Sequence, residues 1–249
     1  MSERHGEREI DRALRGQREA GQPAPSITHA MEDYLKGIYR LQEAGPVVTT
    51  QALAEELGIS GPSATNMVKR LHDLRLVEHA PYHGVRLTPA GERVALEVVR
   101  HHRLLERYLA ESLGYAWDEV HAEAERLEHL MSDELEARMD RALGYPTRDP
   151  HGDPIPTADG EIATAPTQPL LDLPAGTTAT VVRVSDRSPE RLRYLGELGL
   201  RPGAAVTMLE KQPFDGPLRL EIDGAEHYVG PAVAGAVWVD CAAAEEGSG

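Results

Sequence analysis

Cysteine is almost missing from this 249-residue sequence, which holds only Cys241, close to its end. A lone thiol makes no internal disulfide and no Cys-rich zinc site, and it agrees with a reducing compartment. Aromatic side chains make up only 4% with a single Phe, too few to line a peptide groove of the usual SH3 kind. No stretch approaches the roughly 18 to 20 uncharged apolar residues of a membrane helix, and MSERHGEREIDRALRGQRE lacks the apolar core of a signal peptide. The expectation is a cytoplasmic protein with no membrane partner. Positive charge is also short, with 26 Lys and Arg against 41 Asp and Glu and a formal net charge of −15. What remains is ordinary: 41% hydrophobic and 27% charged residues exclude collagen-like and wholly disordered chains. The length suits one large domain or two to three small ones.

The distribution of charge says more than its total. Residues 1–29, 30–96, 97–146 and 147–249 carry net charges of 0, −1, −6 and −8. An acidic surface repels phosphates, so a nucleic-acid surface is confined to the first ninety-odd residues. The remainder suits a cation.

Residues 1–26, ending in GQPAPS, read as a mobile tail. Leu35, Ile38, Tyr39 and Leu41 then recur at helical spacing until Gly45 and Pro46. Thr49 or Thr50 can cap a helix carrying Leu53, Ala54 and Leu57, and Gly58 ends it. Ser60 and Pro62 open another, carrying Met67, Val68 and Leu71. Two helices joined by a short Gly-containing turn form a helix-turn-helix. Val77 and Val85 to Leu87, on either side of PYHG, read as a two-stranded wing, and Thr88 with Pro89 opens a long helix. An αα-hairpin that only packs a core is the plain alternative. Against it, the outward positions of the second helix hold Ser60, Ser63, Thr65 and Asn66 first, then Lys69 and Arg70. That order suits base edges met by the early turns, with Pro62 at the helix start, and phosphates held by the later cations. Asn pairs with adenine bidentately, and the Thr65 methyl can touch thymine. Tyr82, His83 and Arg86 in the wing can add backbone contacts.

Two further helices are expected, Pro89 to Leu113 and Asp118 to Leu143. On the second, His121, Glu125, Glu128 and His129 fall at roughly 0°, 40°, −20° and 80° around the axis. Clustered carboxylates repel one another, and a divalent cation is the usual remedy. The first helix adds His102 and Glu106, four apart on one face. A solvated acidic face with incidental histidines is the competing account.

The helix-turn-helix and wing, followed by HHRLLER and EVHAEAERLEHLMSDELEARM, resemble the diphtheria toxin repressor family of metal-dependent regulators. The resemblance runs from about Ile27 through HGDPIP at 151–156. It implies a main activating site of Asp33, Glu125, Glu128 and His129, and an ancillary one of His102, Glu106 and His121. Iron-dependent members carry Met and Cys at the positions of Asp33 and Glu125. Hard carboxylates here point to the manganese branch, hence Mn²⁺, alternatively Fe²⁺. Lys36 stands where some manganese regulators have a further Glu ligand, which speaks against a binuclear site of that kind.

Beyond Gly144, six prolines in 25 residues mark residues 147–169 as an extended linker without its own core. Short β-branched alternations follow and read as a five-stranded small barrel. RLRYLGELGLRPGAAV resembles the SH3-like C-terminal domain of the same family, and Glu190 is a candidate for reaching the ancillary metal.

The expected fold is mainly α with β. A winged helix-turn-helix domain at 27–96 precedes a helical dimerisation and metal-binding domain at 97–146 and an SH3-like barrel at 170–242. The resemblance implies a repressor of metal-uptake genes, not an enzyme, that binds operator DNA as a homodimer when metal-loaded and takes no small-molecule substrate. The rivals are an iron-dependent regulator, a metal-independent winged-helix regulator and a metallohydrolase.

Overall fold

The computed structural model describes residues 27–43, 45–80, 84–163, 165–185 and 188–240. The expectations for the tail at 1–26, for Tyr82 and His83, and for Cys241 with the residues after it lie outside these. The chain forms two compact units: Met1–His102, Arg126–Tyr145 and Pro156–Glu161 make the first, and Arg103–Glu125, Pro146–Ile155 and Ile162–Gly249 the second. Among the described residues no helix is long and apolar enough to cross a membrane.

The first unit opens with α1 (His29–Gln42), α2 (Thr50–Glu56) and α3 (Gly61–Asp73). The expected caps are in place: Thr49 Oγ1 accepts from Ala52 N at 3.0 Å, and Ser60 Oγ from Ser63 N at 3.3 Å. Each satisfies an amide that the first helical turn leaves without a partner. Gly58 turns the chain between α2 and α3 with φ +63°, a left-handed value that glycine adopts without strain. Strands β1 (Val77–Ala80) and β2 (Gly84–Leu87) pair antiparallel as the expected wing, from Val77 opposite Leu87 to Ala80 opposite Gly84. Leu35, Ile38, Leu53, Val68, Leu71, Val77 and Val85 fill one core between the three helices and the wing.

Helix α4 runs from Pro89 to Leu113, the expected span. Its first turn lies against the Leu76 carbonyl so closely that a Cβ on Gly91 would come within 1.9 Å of that oxygen. The second helix of the expected pair is not continuous. It breaks into α5 (Val120–Leu127), a single 3-10 turn (Glu128–Leu130) and α6 (Asp133–Ala142). The cause is local: Met131 adopts extended backbone, and Ser132 caps α6 by accepting from Leu135 N at 3.3 Å. Glu128 and His129 therefore leave the angular positions of a straight helix.

In the second unit, β3 (Gln168–Pro169), β4 (Thr178–Val184), β5 (Ala205–Lys211), β6 (Leu218–Ile222), β7 (Ala225–Val229) and β8 (Val237–Asp240) form one antiparallel sheet. The order is β3-β8-β4-β5-β6-β7, six strands rather than five, the extra one being the two-residue β3. Between these strands lie α7 (Pro189–Glu197) and α8 (Pro231–Ala234). Leu170, Val181, Leu192, Leu195, Val206, Met208, Leu220 and Val237 are buried in its core together with Trp117.

The expected linker also departs from a bare spacer. Asp149, His151, Gly152, Ile155 and Pro156 are all buried. Asp149 Oδ1 accepts from the amides of His151 and Asp153 at 2.8 and 2.9 Å, and Val184 N donates to His151 O at 2.9 Å. Gly152, at φ +92°, lies where a Cβ would come within 2.0 Å of Val182 O. The prolines stiffen this segment, and the hydrogen bonds dock it.

Candidate metal centre

Asp33 lies in the first half of α1, and Glu128 and His129 on the 3-10 turn. One ligand atom from each lies within 4.8 Å of the others. His129 Nε2 is 2.8 Å from Asp33 Oδ1 and 3.6 Å from Glu128 Oε1. On the other side of the ring, Nδ1 is 2.6 Å from Glu32 Oε2. Only the doubly protonated imidazolium has a donor for each carboxylate. Accordingly the hydrogen bonds to Asp33 and then Glu32 outweigh burial and raise the His129 pKa to about 10. The His29 ring stacks on it at 4.9 Å.

Glu128 is fully buried. Its Oε1 accepts from Lys36 Nζ at 2.6 Å, and its Oε2 meets His102 Nδ1. His102, which the resemblance assigns to the ancillary set, thus also touches a main-site carboxylate. Around the turn stands a polar frame. His101 Nδ1 donates to Glu128 O at 3.2 Å and Nε2 to Glu136 Oε2 at 3.1 Å. Burial works against the charged His101 ring, but Glu136 overcomes it and raises the pKa. Arg100 binds Glu136, Asp140 and the Pro156 carbonyl. Together these bonds hold α6 and the 3-10 turn against α4, so Glu128 and His129 have little freedom.

A second group lies in the other unit. Glu106 is fully buried on α4, with its Oε1 3.1 Å from His121 Nδ1 on α5. Its Oε2 is 3.7 Å from His151 Nδ1, and Glu106, Asp149 and His151 form a wholly buried set with ligand atoms within 4.8 Å. His151 Nε2 donates to Trp117 O at 2.7 Å. Burial opposes charge on His151, but Glu106 and Asp149 prevail and raise its pKa to about 9. Burial, followed by repulsion from Glu106, lifts the Asp149 carboxyl well above the usual range.

Glu125 lies on α5 with its carboxylate 3.7 Å from His121 Nε2. Glu190 is exposed in the first turn of α7, not on a strand, and belongs to no metal-capable group among the described residues. The residues missed in the sequence are Glu32, Asp149 and His151. The signal available for the last two was the run of polar residues in TRDPHGD at 147–153, too rich for a bare spacer.

On α3 the polar candidates face solvent: Pro62, Ser63, Asn66, Lys69 and Arg70 are exposed, as is Arg86 on β2. Ser60 is not on the helix but caps it, with its hydroxyl 2.8 Å from that of Ser63. Thr65 is half-buried and donates to Gly61 O at 2.9 Å, so its hydroxyl proton is engaged and its methyl and the oxygen's acceptor capacity are left for a base. Of the apolar residues Leu127, Leu130, Leu135 and Met139, which recur around the 3-10 turn and along α6, only Met139 is buried. The three leucines are 36, 69 and 46% exposed.

Three family descriptions match the chain in succession. Residues 26–85 match the iron dependent repressor N-terminal DNA binding domain, 88–157 the iron dependent repressor metal binding and dimerisation domain, and 168–241 the FeoA domain. The iron-dependent repressor IdeR of Mycobacterium leprae is 36% identical over 195 residues, 73% of this chain and 84% of that protein. IdeR of Mycobacterium tuberculosis strain H37Rv is 36% identical over 219 residues, 82% of this chain and 94% of its own. Among solved structures, a manganese-dependent transcriptional repressor in complex with manganese superposes with a TM-score of 0.80 at 45% identity, over 85% of this chain and 99% of that one. ScaR with bound Cd²⁺ gives a TM-score of 0.73 at 34% identity, over 84% and 98%.

Proposed function

The chain belongs to the iron-dependent repressor family of metal-dependent transcriptional repressors, and from that premise we propose that it responds to Mn²⁺ and represses metal-uptake genes. One observation carries the reading: Asp33 of the DNA-binding domain converges with Glu128 and His129 on one cluster whose donors are two carboxylates and an imidazole. Oxygen-rich sets suit Mn²⁺, whereas thiol and thioether ligands suit softer ions. A divalent ion bound there supplies the positive charge that lets the two carboxylates lie together without repulsion.

In this reading Asp33, Glu125, Glu128 and His129 hold the activating ion. Glu106 and His121, with His102 from the same stretch of α4, hold an ancillary one, and Asp149 and His151 offer donors on the other side of Glu106. Asp33 couples the ion to the fold, because α1 packs directly under α2 and α3 in the DNA-binding core. Fixing α1 on the 3-10 turn fixes where α3 points. Asn66, Ser63 and the Thr65 methyl then read base edges, while Lys69, Arg70 and Arg86 hold phosphates, with Ser60 and Pro62 at the leading end. The exposed leucines Leu127, Leu130 and Leu135 supply an apolar face for a second copy. Two copies match successive major grooves, about 34 Å apart or a multiple of it. Metal and operator become reciprocal ligands, with a coupling typically of about 1 to 3 kcal/mol.

The test is fluorescence anisotropy of labelled promoter DNA with chelated protein, titrated anaerobically with buffered Mn²⁺ and then Fe²⁺, beside Asp33→Ala and Glu125→Ala. A steep metal-dependent rise that both variants lose supports the reading and ranks the two ions. Equal binding with and without metal sinks it. A stronger response to Fe²⁺ at matched free concentrations assigns the chain to iron sensing.

A further inference from the structure

Lys36 is the odd residue in the main cluster. It lies one helical turn after Asp33 on α1, is 4% exposed, and places its ammonium 2.6 Å from Glu128 Oε1. That oxygen is also the one 3.6 Å from His129 Nε2, on the side where Asp33 closes the cluster. Three ion pairs therefore tie α1 to the 3-10 turn, Glu32 and Asp33 with His129 and Lys36 with Glu128. In the last of them a residue that cannot ligate sits on an oxygen that the ion would take. Glu128 is buried with no exposed surface, so its charge requires a cation near it in any state of the protein.

We propose that Lys36 is a tethered counter-cation for Glu128 that competes with the divalent ion for Oε1 and so sets the metal concentration at which the site fills. The inference rests on the assignment of Glu128 as a ligand made above. A positive group at hydrogen-bond distance from a ligating oxygen repels an incoming cation and occupies a lone pair that the cation would take. The same contact holds α1 in register on the turn when metal is scarce. Lys36 thereby trades affinity for a preformed site.

The experiment is calorimetric titration of the full chain with Mn²⁺ at one pH, for the native sequence and for Lys36→Met, Lys36→Arg and Glu128→Ala. Thermal unfolding of each in chelator runs alongside. Lys36→Met removes the charge and keeps most of the volume, so Mn²⁺ binds about tenfold tighter or more. In chelator the same variant melts below the native chain, because Glu128 has lost its cation. Lys36→Arg keeps the charge and binds Mn²⁺ within about threefold of the native chain. Should Lys36→Met fail to fold, Lys36→Gln carries the same comparison. Unchanged or weaker Mn²⁺ binding by the uncharged variants overturns the inference, provided the native chain binds and Glu128→Ala does not. If Glu128→Ala binds like the native chain, or neither binds, the ligand assignment itself has failed.

Discussion

His129 donates to two carboxylates at once, at 2.6 and 2.8 Å from Glu32 and Asp33, and its behaviour with pH follows from that. The pKa is raised from 6.5 to about 10 by those bonds. A group whose folded pKa is raised contributes stability fully below its unfolded value and loses it as the pH rises through the folded one. Without metal, the melting temperature therefore falls between about pH 6.5 and 10, and His129→Gln flattens that slope. Metal binding has the opposite sign, since a ligand must shed its proton. Mn²⁺ affinity rises with pH across the same window, and calorimetry at several pH values in buffers of different ionisation enthalpy will show the released proton. On α3, Asn66→Ala is expected to weaken operator binding by about 1 to 3 kcal/mol and to relax the preference at one base pair. Lys69→Ala weakens all sequences alike and lowers the salt slope by about one. Anisotropy at several salt concentrations on operator and scrambled DNA separates the two.

At the scale of elements, the glycines make contrasting predictions. A Cβ on Gly91 would stand 1.9 Å from the Leu76 carbonyl oxygen, whereas one on Gly61 would meet nothing within 4 Å. Gly91→Ala is expected to cost at least about 2 to 3 kcal/mol by overpacking, and Gly61→Ala to change stability by less than about 1 kcal/mol, in the favourable direction. Denaturant titration measures both. The helix-turn-helix was legible because each punctuating residue has a local cause: Thr49 and Ser60 cap, Gly58 turns, and the leucines keep helical period. The break after Leu127 was not, since the apolar period continues through it and Ser132, the cap of α6, reads as an interior residue. Residues 147–169 misled for a related reason. Proline density signals stiffness, but docking comes from Asp149 and Gly152, whose partners lie elsewhere in the chain or in its backbone. The site divides the same way. Spacing and resemblance found Asp33, Glu128 and His129, while Glu32 and the Lys36 contact depend on pairings 97 and 92 residues apart, which no local pattern encodes.

For the whole molecule, metal removal is the simplest perturbation. An ion that binds only the folded chain stabilises it by about 2.7 kcal/mol at a hundredfold excess over Kd, so chelation lowers the melting temperature and Mn²⁺ restores it. The net charge of −15 sits mostly beyond residue 96, which leaves the DNA-binding segment near neutral. Non-specific DNA binding is accordingly weak, and a scrambled duplex will be released at modest salt. The 3-10 turn carries one more implication. Its first residue, Glu128, is sealed inside the metal cluster, and its third, Leu130, is 69% exposed and belongs to the leucines proposed above to meet a second copy. Whatever orders three consecutive residues orders both faces, so ion uptake and self-association draw on the same local folding event. Mass action then makes protein concentration a hidden variable: diluting the chain weakens its apparent hold on the ion, and a metal titration at nanomolar protein yields a higher midpoint than one at micromolar.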